Sequence, residues 1–163
     1  MSATGPASSR LEVVLLRAAR NVRRAFDARL RVIELNLTEA SMLSYLRDLG
    51  PMSQRELADH VNIGRAAAGE FVDVLERRGL VTKEVDREDK RAWKVSLTEA
   101  ATPVTDEFDA IDAALRAELR DGLGPRERKQ LVELLSHLDR NACRSSDPSS
   151  TLHASNPEPR TQG

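Results

Sequence analysis

The stretch from Ser53 to Leu97 constrains this chain most, because it asks for helical spacing twice and then for strict alternation. Ser53-Gln54-Arg55-Glu56 fits a capping box, in which the serine hydroxyl accepts from the Glu56 amide and the Glu56 carboxylate reaches back to the Ser53 amide. Leu57, Ala58 and Val61 give the helix so started an apolar face. Asn62-Ile63-Gly64 is a turn signal. Beyond it Ala67, Ala68, Phe71, Val72 and Leu75 recur at helical spacing. Gly79 stands where a helix end must enter the left-handed region, and Arg77 and Arg78 in the last turn suit the negative end of the helix dipole. Two helices joined by a tight turn make a helix-turn-helix, whose second helix is shaped to enter a major groove.

The alternation follows at once. Val81-Thr82-Lys83-Glu84-Val85 is β-branched and alternating, as a strand should be. In the run from Arg91 to Leu97, Trp93, Val95 and Leu97 share one face and Lys94 and Ser96 the other. Between the strands lie Asp86, Arg87, Glu88, Asp89 and Lys90, with nothing apolar to bury. A two-stranded ribbon tipped by Arg87, Lys90 and Arg91 can follow a duplex backbone and push a guanidinium into the minor groove. The fold class expected is mainly α with a small β-wing: a winged helix-turn-helix, with further helices on either side of it. Met52 is a candidate for a short third strand.

These residues carry a resemblance. Leu57-Ala58, the run from Phe71 to Val81, Asp86 to Arg91, and Val95-Ser96-Leu97-Thr98 resemble the MarR family of bacterial transcription regulators, over roughly residues 10–140. The family's wing pattern is Asp-x-Arg-Asp-x-Arg. Asp86, Asp89 and Arg91 match it, Glu88 stands at the first arginine, and Arg87 is displaced by one place. The resemblance implies an obligate homodimer joined by N- and C-terminal helices. It also implies a small-molecule effector, commonly a phenolic or aromatic acid, in a cleft between those helices and the reader domain. That cleft would be lined by Val22, Arg23 and Phe26 from the first helix, Met42, Tyr45 and Leu46 from the second, and Val104 and Phe108 from the long helix after the wing. Helical periodicity alone makes Phe26, Met42, Leu46 and Phe108 plain core, so both readings stand. An apolar body with an anionic group fits such a lining, with an arginine of the first helix on the anion. A CoA thioester is the larger alternative, competing with DNA for basic surface.

The residues assigned to DNA are Ser53, Gln54 and Arg55 at the start of the first reader helix; Arg65, Ala66, Ala67, Gly69 and Glu70 on the second; and Arg87, Lys90 and Arg91 on the wing. Asp73 is expected on the same groove-facing side, and Lys83 and Lys94 are candidates to join the basic residues there. Arg65 alone is a natural partner for a guanine edge, while Ala66 and Ala67 suit a thymine methyl and Glu70 a cytosine amine. Few base contacts imply a large share of shape readout. Gly69 weakens its helix by about 1 kcal/mol relative to alanine. It serves either close approach to a duplex or close packing against a neighbouring helix.

At 163 residues, one domain is the expectation. Aromatic residues are 3% of the chain, which leaves the core to Leu, Val and Ala. The net charge of −1 hides an asymmetry: residues 1–34 hold seven arginines against three acids, and residues 99–163 eight bases against twelve acids. The expected division is a disordered N-terminus at 1–9, a dimerisation helix at 10–36, the winged helix-turn-helix at 37–98, dimerisation helices at 99–142 and a disordered tail at 143–163. Leu11, Leu15, Ala18, Val22, Phe26, Leu30 and Ile33 stripe the first helix, flanked by Arg17, Arg20, Arg23, Arg24 and Arg31. Thr38 is read as the N-cap of the second, whose buried face is Met42, Leu43, Leu46 and Leu49 before Gly50-Pro51 stops it. Pro103 implies a kink or a restart in the helix that carries Val104, Phe108, Ile111, Leu115 and Leu119.

Catalysis finds no support. His60, His137 and His153 are scattered, no His-x-x-x-His or Cys-x-x-Cys spacing occurs, and no glycine-rich phosphate loop is present. Ser53 is better used as a cap than as a nucleophile. No metal or cofactor is expected. Cys143, the single cysteine, forms no disulfide framework and lies at the edge of a polar tail. No apolar run reaches spanning length and no signal sequence opens the chain, so a cytoplasmic protein without membrane contact is the expectation. The competing class is a winged helix that binds protein rather than DNA, which Glu70, Asp73 and Glu88 keep open.

Overall fold

The computed structural model describes residues 10–85 and 93–145. The expected wing tip (Asp86, Arg87, Glu88, Asp89, Lys90 and Arg91) and the stretches 1–9 and 146–163, where disorder is expected, lie outside the described residues. The order is α1 (Leu11–Leu30), a 3-10 turn (Arg31–Ile33), α2 (Leu37–Leu49), β1 (Met52–Ser53), α3 (Gln54–Val61), α4 (Arg65–Arg77), β2 (Val81–Val85), β3 (Trp93–Leu97), α5 (Ala101–Leu119) and α6 (Pro125–Ser145). Residues up to Leu119 make one compact unit and those from Arg120 on a second.

In the first unit the strands form an antiparallel sheet in the order β1-β3-β2, with Met52 opposite Val95 and Lys83 opposite Val95 on its other side. The third strand is thus Met52–Ser53. Apolar side chains from the five helices and the sheet of this unit fill one core: Leu30 of α1, Met42, Leu43 and Leu46 of α2, Leu57 of α3, Val72 and Leu75 of α4, Val81 and Val95 of the sheet, and Phe108 and Leu115 of α5.

The start of α2 differs from expectation. Asn36, not Thr38, is its N-cap: Asn36 Oδ1 accepts from the Glu39 amide at 3.0 Å, and Glu39 returns to the Asn36 amide at 2.9 Å. Thr38 lies in the first turn and is buried, where its hydroxyl accepts from Arg23 Nη1 at 3.4 Å. Asp27 of α1 accepts from the Leu37 amide at 2.8 Å, so a second side chain satisfies this helix start. At the other end Leu49 is 59% exposed and does not share the buried face of Met42, Leu43 and Leu46.

The helix after the wing neither restarts nor breaks at Pro103. It begins at Ala101, which puts proline at its third position. The first turn has no intrahelical acceptor for its amides, so the missing N–H costs nothing there. Thr98 closes the preceding turn and donates its hydroxyl to the Gly79 carbonyl at 2.6 Å. Arg47 of α2 grips α5 through both oxygens of Asp109, at 2.7 and 3.1 Å. Leu119, at the end of the α5 stripe, is exposed.

The second unit is α6, which runs to Ser145, beyond the expected end at 142. It buries none of its residues, although Leu131, Val132, Leu134 and Leu135 give it apolar surface. Cys143 is exposed on it and free.

Candidate nucleic-acid interface

The helix-turn-helix is built from local chemistry. Ser53 and Glu56 form the capping box that starts α3, with the Glu56 amide 3.2 Å from Ser53 Oγ and the Ser53 amide 2.8 Å from Glu56 Oε2. Asn62 ends α3 in the left-handed region at φ 54°, a conformation its short side chain tolerates. The Ile63 amide closes back on the Ala58 carbonyl at 3.0 Å, and α4 begins two residues later. At the far end Gly79 takes φ 72°, its amide bonds to the Glu76 carbonyl, and the Leu80 amide reaches the Leu75 carbonyl at 3.0 Å. This is a Schellman motif with its apolar clasp, since Leu75 and Leu80 are both buried.

Ala68, Val72 and Leu75 turn the inner face of α4 to the core. Arg65, Ala66 and Glu70 are exposed, and Ala67 and Gly69 are half-buried. Among the described residues, Arg65 and Glu70 make no hydrogen bond or ion pair. A methyl group built on Gly69 would meet Gln54 Nε2 at 3.7 Å, an ordinary contact. The middle of α4 therefore lies beside the start of α3, and the two groups of DNA-assigned residues, Ser53 to Arg55 and Arg65 to Glu70, form one surface. The same distance shows that packing against α3 does not itself require glycine. Arg87, Lys90 and Arg91 are outside the described residues, so this surface is known here without its wing tip.

Two basic residues do something other than expected. Lys83 of β2 is not a free cation beside α4. Its ammonium lies 2.6 Å from Asp73 and 2.8 Å from Glu76, both on α4. Asp73 accordingly points to the wing base rather than into open groove space. The hydrogen bond from Lys83, then its charge, holds the Asp73 carboxyl below its ordinary value; the bonds to Asp73 and Glu76 raise the Lys83 ammonium above its own. Arg78 does more than complement the α4 dipole. It donates to the backbone carbonyls of Ile33, at 3.0 Å, and Glu34, joining the end of the reader helix to the junction between α1 and α2. Neither partnership has a signal in sequence: Lys83 meets α4 because β2 folds back alongside it, and Arg78 lies 45 and 44 residues from its two acceptors. The Asn36-x-x-Glu39 capping box, by contrast, was there to be read.

His60 stacks on Tyr45 with ring centroids 4.9 Å apart. Of the residues assigned to an effector, Phe26, Met42, Leu46 and Phe108 are buried members of the core and Val104 packs partly against it. Val22, Arg23 and Tyr45 are exposed. Among the described residues, no three His, Cys, Asp or Glu side chains are grouped to hold a metal ion, and no helix is long and apolar enough to cross a membrane.

Helix pair, turn and sheet together define a winged helix-turn-helix protein. Residues 35–93 match the MarR family. The transcriptional repressor CouR, solved on a 23-mer DNA duplex, is 26% identical, with a TM-score of 0.76 over 85% of this chain and 99% of that one. BpsR from Bordetella bronchiseptica, solved in a study of how 6-hydroxynicotinic acid regulates its DNA binding, is 25% identical, with a TM-score of 0.76 over 83% and 98%. A mutant MarR from E. coli in complex with operator DNA shares the fold at 20% identity, with a TM-score of 0.74 over 78% and 92%. By that match and by its likeness to CouR and BpsR, the chain is similar to MarR-family transcription regulators.

Proposed function

We propose that this protein is a ligand-responsive repressor that binds a pseudo-palindromic operator as a homodimer and is released by a small aromatic acid or its CoA thioester. The observation that carries the reading is the surface made by the start of α3 and the outer face of α4, where Arg55 and Arg65 are exposed and unpaired among the described residues. Arg65 is the candidate for a guanine edge, and Ser53, Gln54 and Arg55 for phosphates. Pairing is supported by apolar surface that one copy leaves in water. Leu11, Val14 and Leu16 of α1 are exposed, and so, within α6, are Leu131 and Leu134. Such surfaces are commonly buried against a second copy. Two-fold symmetry then sets two α4 helices about 34 Å apart, one duplex turn.

The effector class is supported by the likeness to BpsR, whose DNA binding is regulated by an aromatic acid. Arg23 of α1, which reaches Thr38 at the start of α2, offers a cation where the two helices that carry this lining meet. A ligand that also touches Phe26, Met42, Leu46 and Phe108 must part side chains that are buried without it. Doing so shifts α1 and α2 against the core. Arg78 hands that shift to α4, and half-site geometry fixed by the duplex then fails.

A protein-binding winged helix was favoured by acids on this face. Lys83 accounts for Asp73, Glu88 lies outside the described residues, and Glu70 is exposed. A gel shift with the DNA upstream of the gene, at two salt concentrations, tests the reading: affinity falls steeply with salt for a DNA binder. Arg65→Ala is expected to weaken binding about tenfold or more, as loss of a bidentate guanine contact does, with the dimer intact. Wild-type affinity in that variant places the reader surface elsewhere. Calorimetric titration with aromatic acids and their CoA thioesters tests the effector, and no heat from any of them removes it.

A further inference from the structure

The wing carries an apolar pair that the core does not use. Val85 and Trp93 face each other across the β2–β3 ladder at its outer described end. They lie on the sheet face of Val81 and Val95, both buried, and of Lys83, which reaches α4. This face is therefore the one that looks toward the reader helix. Yet Val85 is 51% and Trp93 49% exposed. The pair stands on the α4 side of the sheet, past the cover that α4 provides, and beside the ladder's last charged pair, Glu84 and Lys94 on the opposite face.

We propose that Trp93, backed by Val85, is a DNA contact: an apolar wedge against the deoxyribose–phosphate wall of the operator between the groove read by α4 and the groove met by the wing tip. This rests on the regulator reading above. A duplex that lies on the outer face of α4 and also reaches the end of the β2–β3 ribbon must pass the surface between them, and this pair occupies it. The chemistry suits a sugar–phosphate wall. The indole offers a broad flat face to deoxyribose carbons and one N–H donor to a phosphate oxygen, and carries no charge. Contacts to sugar and phosphate fix register without reading sequence, so the role is positioning on the duplex rather than base choice.

Trp93 is the single tryptophan of the chain, which makes its emission a local probe. An operator duplex is selected from a random-sequence pool with the wild-type protein and titrated into wild type, Trp93→Phe and Trp93→Ala. Saturating operator is expected to quench or shift the emission. Trp93→Ala is expected to weaken the complex roughly five- to tenfold, as removal of one aromatic contact does, with Trp93→Phe between it and wild type. Because the residue is uncharged, the slope of affinity against salt should stay at the wild-type value, whereas losing a phosphate-bound arginine lowers it by about one. The wild-type melting curve should persist in both variants. Emission unmoved by saturating operator, or unchanged affinity in Trp93→Ala, overturns the wedge and leaves the regulator reading in place. A pool that yields no duplex bound by the wild type overturns both.

Discussion

Replacing Gly69 by alanine separates stability from function at one atom. Gly69 is the fifth of thirteen residues in α4 and is not in the positive-φ region, so alanine adopts its backbone without strain. The added methyl meets Gln54 Nε2 at 3.7 Å, an ordinary contact rather than a clash. The remaining term is helix propensity, which favours alanine by about 1 kcal/mol. Spread over a chain of this length, that raises the melting temperature by about 2–4 °C, measured at fixed protein concentration because the proposed dimerisation would be linked to stability. A glycine retained at this stability cost, with no packing reason for it, is expected to serve close approach of the duplex. Gly69→Ala should therefore melt higher and bind operator more weakly. A lower melting temperature would mean that the added methyl strains the α3–α4 contact. Higher stability with undiminished binding would remove Gly69 from the reader surface.

Other perturbations follow from named contacts. Lys83→Met removes the clamp between wing and α4. Because Asp73 is held below its ordinary value, the clamp's stabilisation is present above that value and lost as pH falls through the depressed one. Because Lys83 is raised above its ordinary 10.5, the same stabilisation is present below 10.5 and lost as pH rises through the raised value. Urea midpoints across pH should show both limbs shallower in Lys83→Met than in wild type; identical profiles would mean that the clamp is open in solution. Asn36→Ala is expected to cost about 1 kcal/mol as loss of an N-cap, and a urea titration showing no loss would return the cap to Thr38. Leu75→Ala, at a fully buried position that also clasps Leu80, is expected to cost about 2–5 kcal/mol by chemical denaturation. A cost near zero would mean that the core relaxes around it.

Helix existence and the alternation of the wing strands were legible because each rests on local chemistry. The capping box at Ser53, the left-handed glycine at Gly79 and the Trp93-Val95-Leu97 face all depend on residues a few places apart. What the pattern missed is non-local or competitive. Trp93 shares the core face yet stays half in water, because the cover ends before the strand does. Thr38 lost the cap to Asn36, two residues earlier, which has the acid Glu39 at the third place after it where Thr38 has Ser41. Leu49 kept the helical stripe but passed the end of the surface that would bury it. Lys83 read as free charge because nothing in a linear sequence shows that β2 lies alongside α4. At the candidate site, Arg65 and Glu70 were legible as exposed, whereas the partnership of Arg78 with Ile33 and Glu34 needed the fold.

The central claim is that two copies present two α4 helices at a spacing set by the double helix. Inserting about five base pairs, half a duplex turn, between the two halves of a bound operator tests it most directly. The account expects a stoichiometry of two protomers on the intact operator and loss of the tight complex after the insertion, because the second α4 then meets the wrong side of the duplex. Undiminished affinity for the lengthened operator would contradict it.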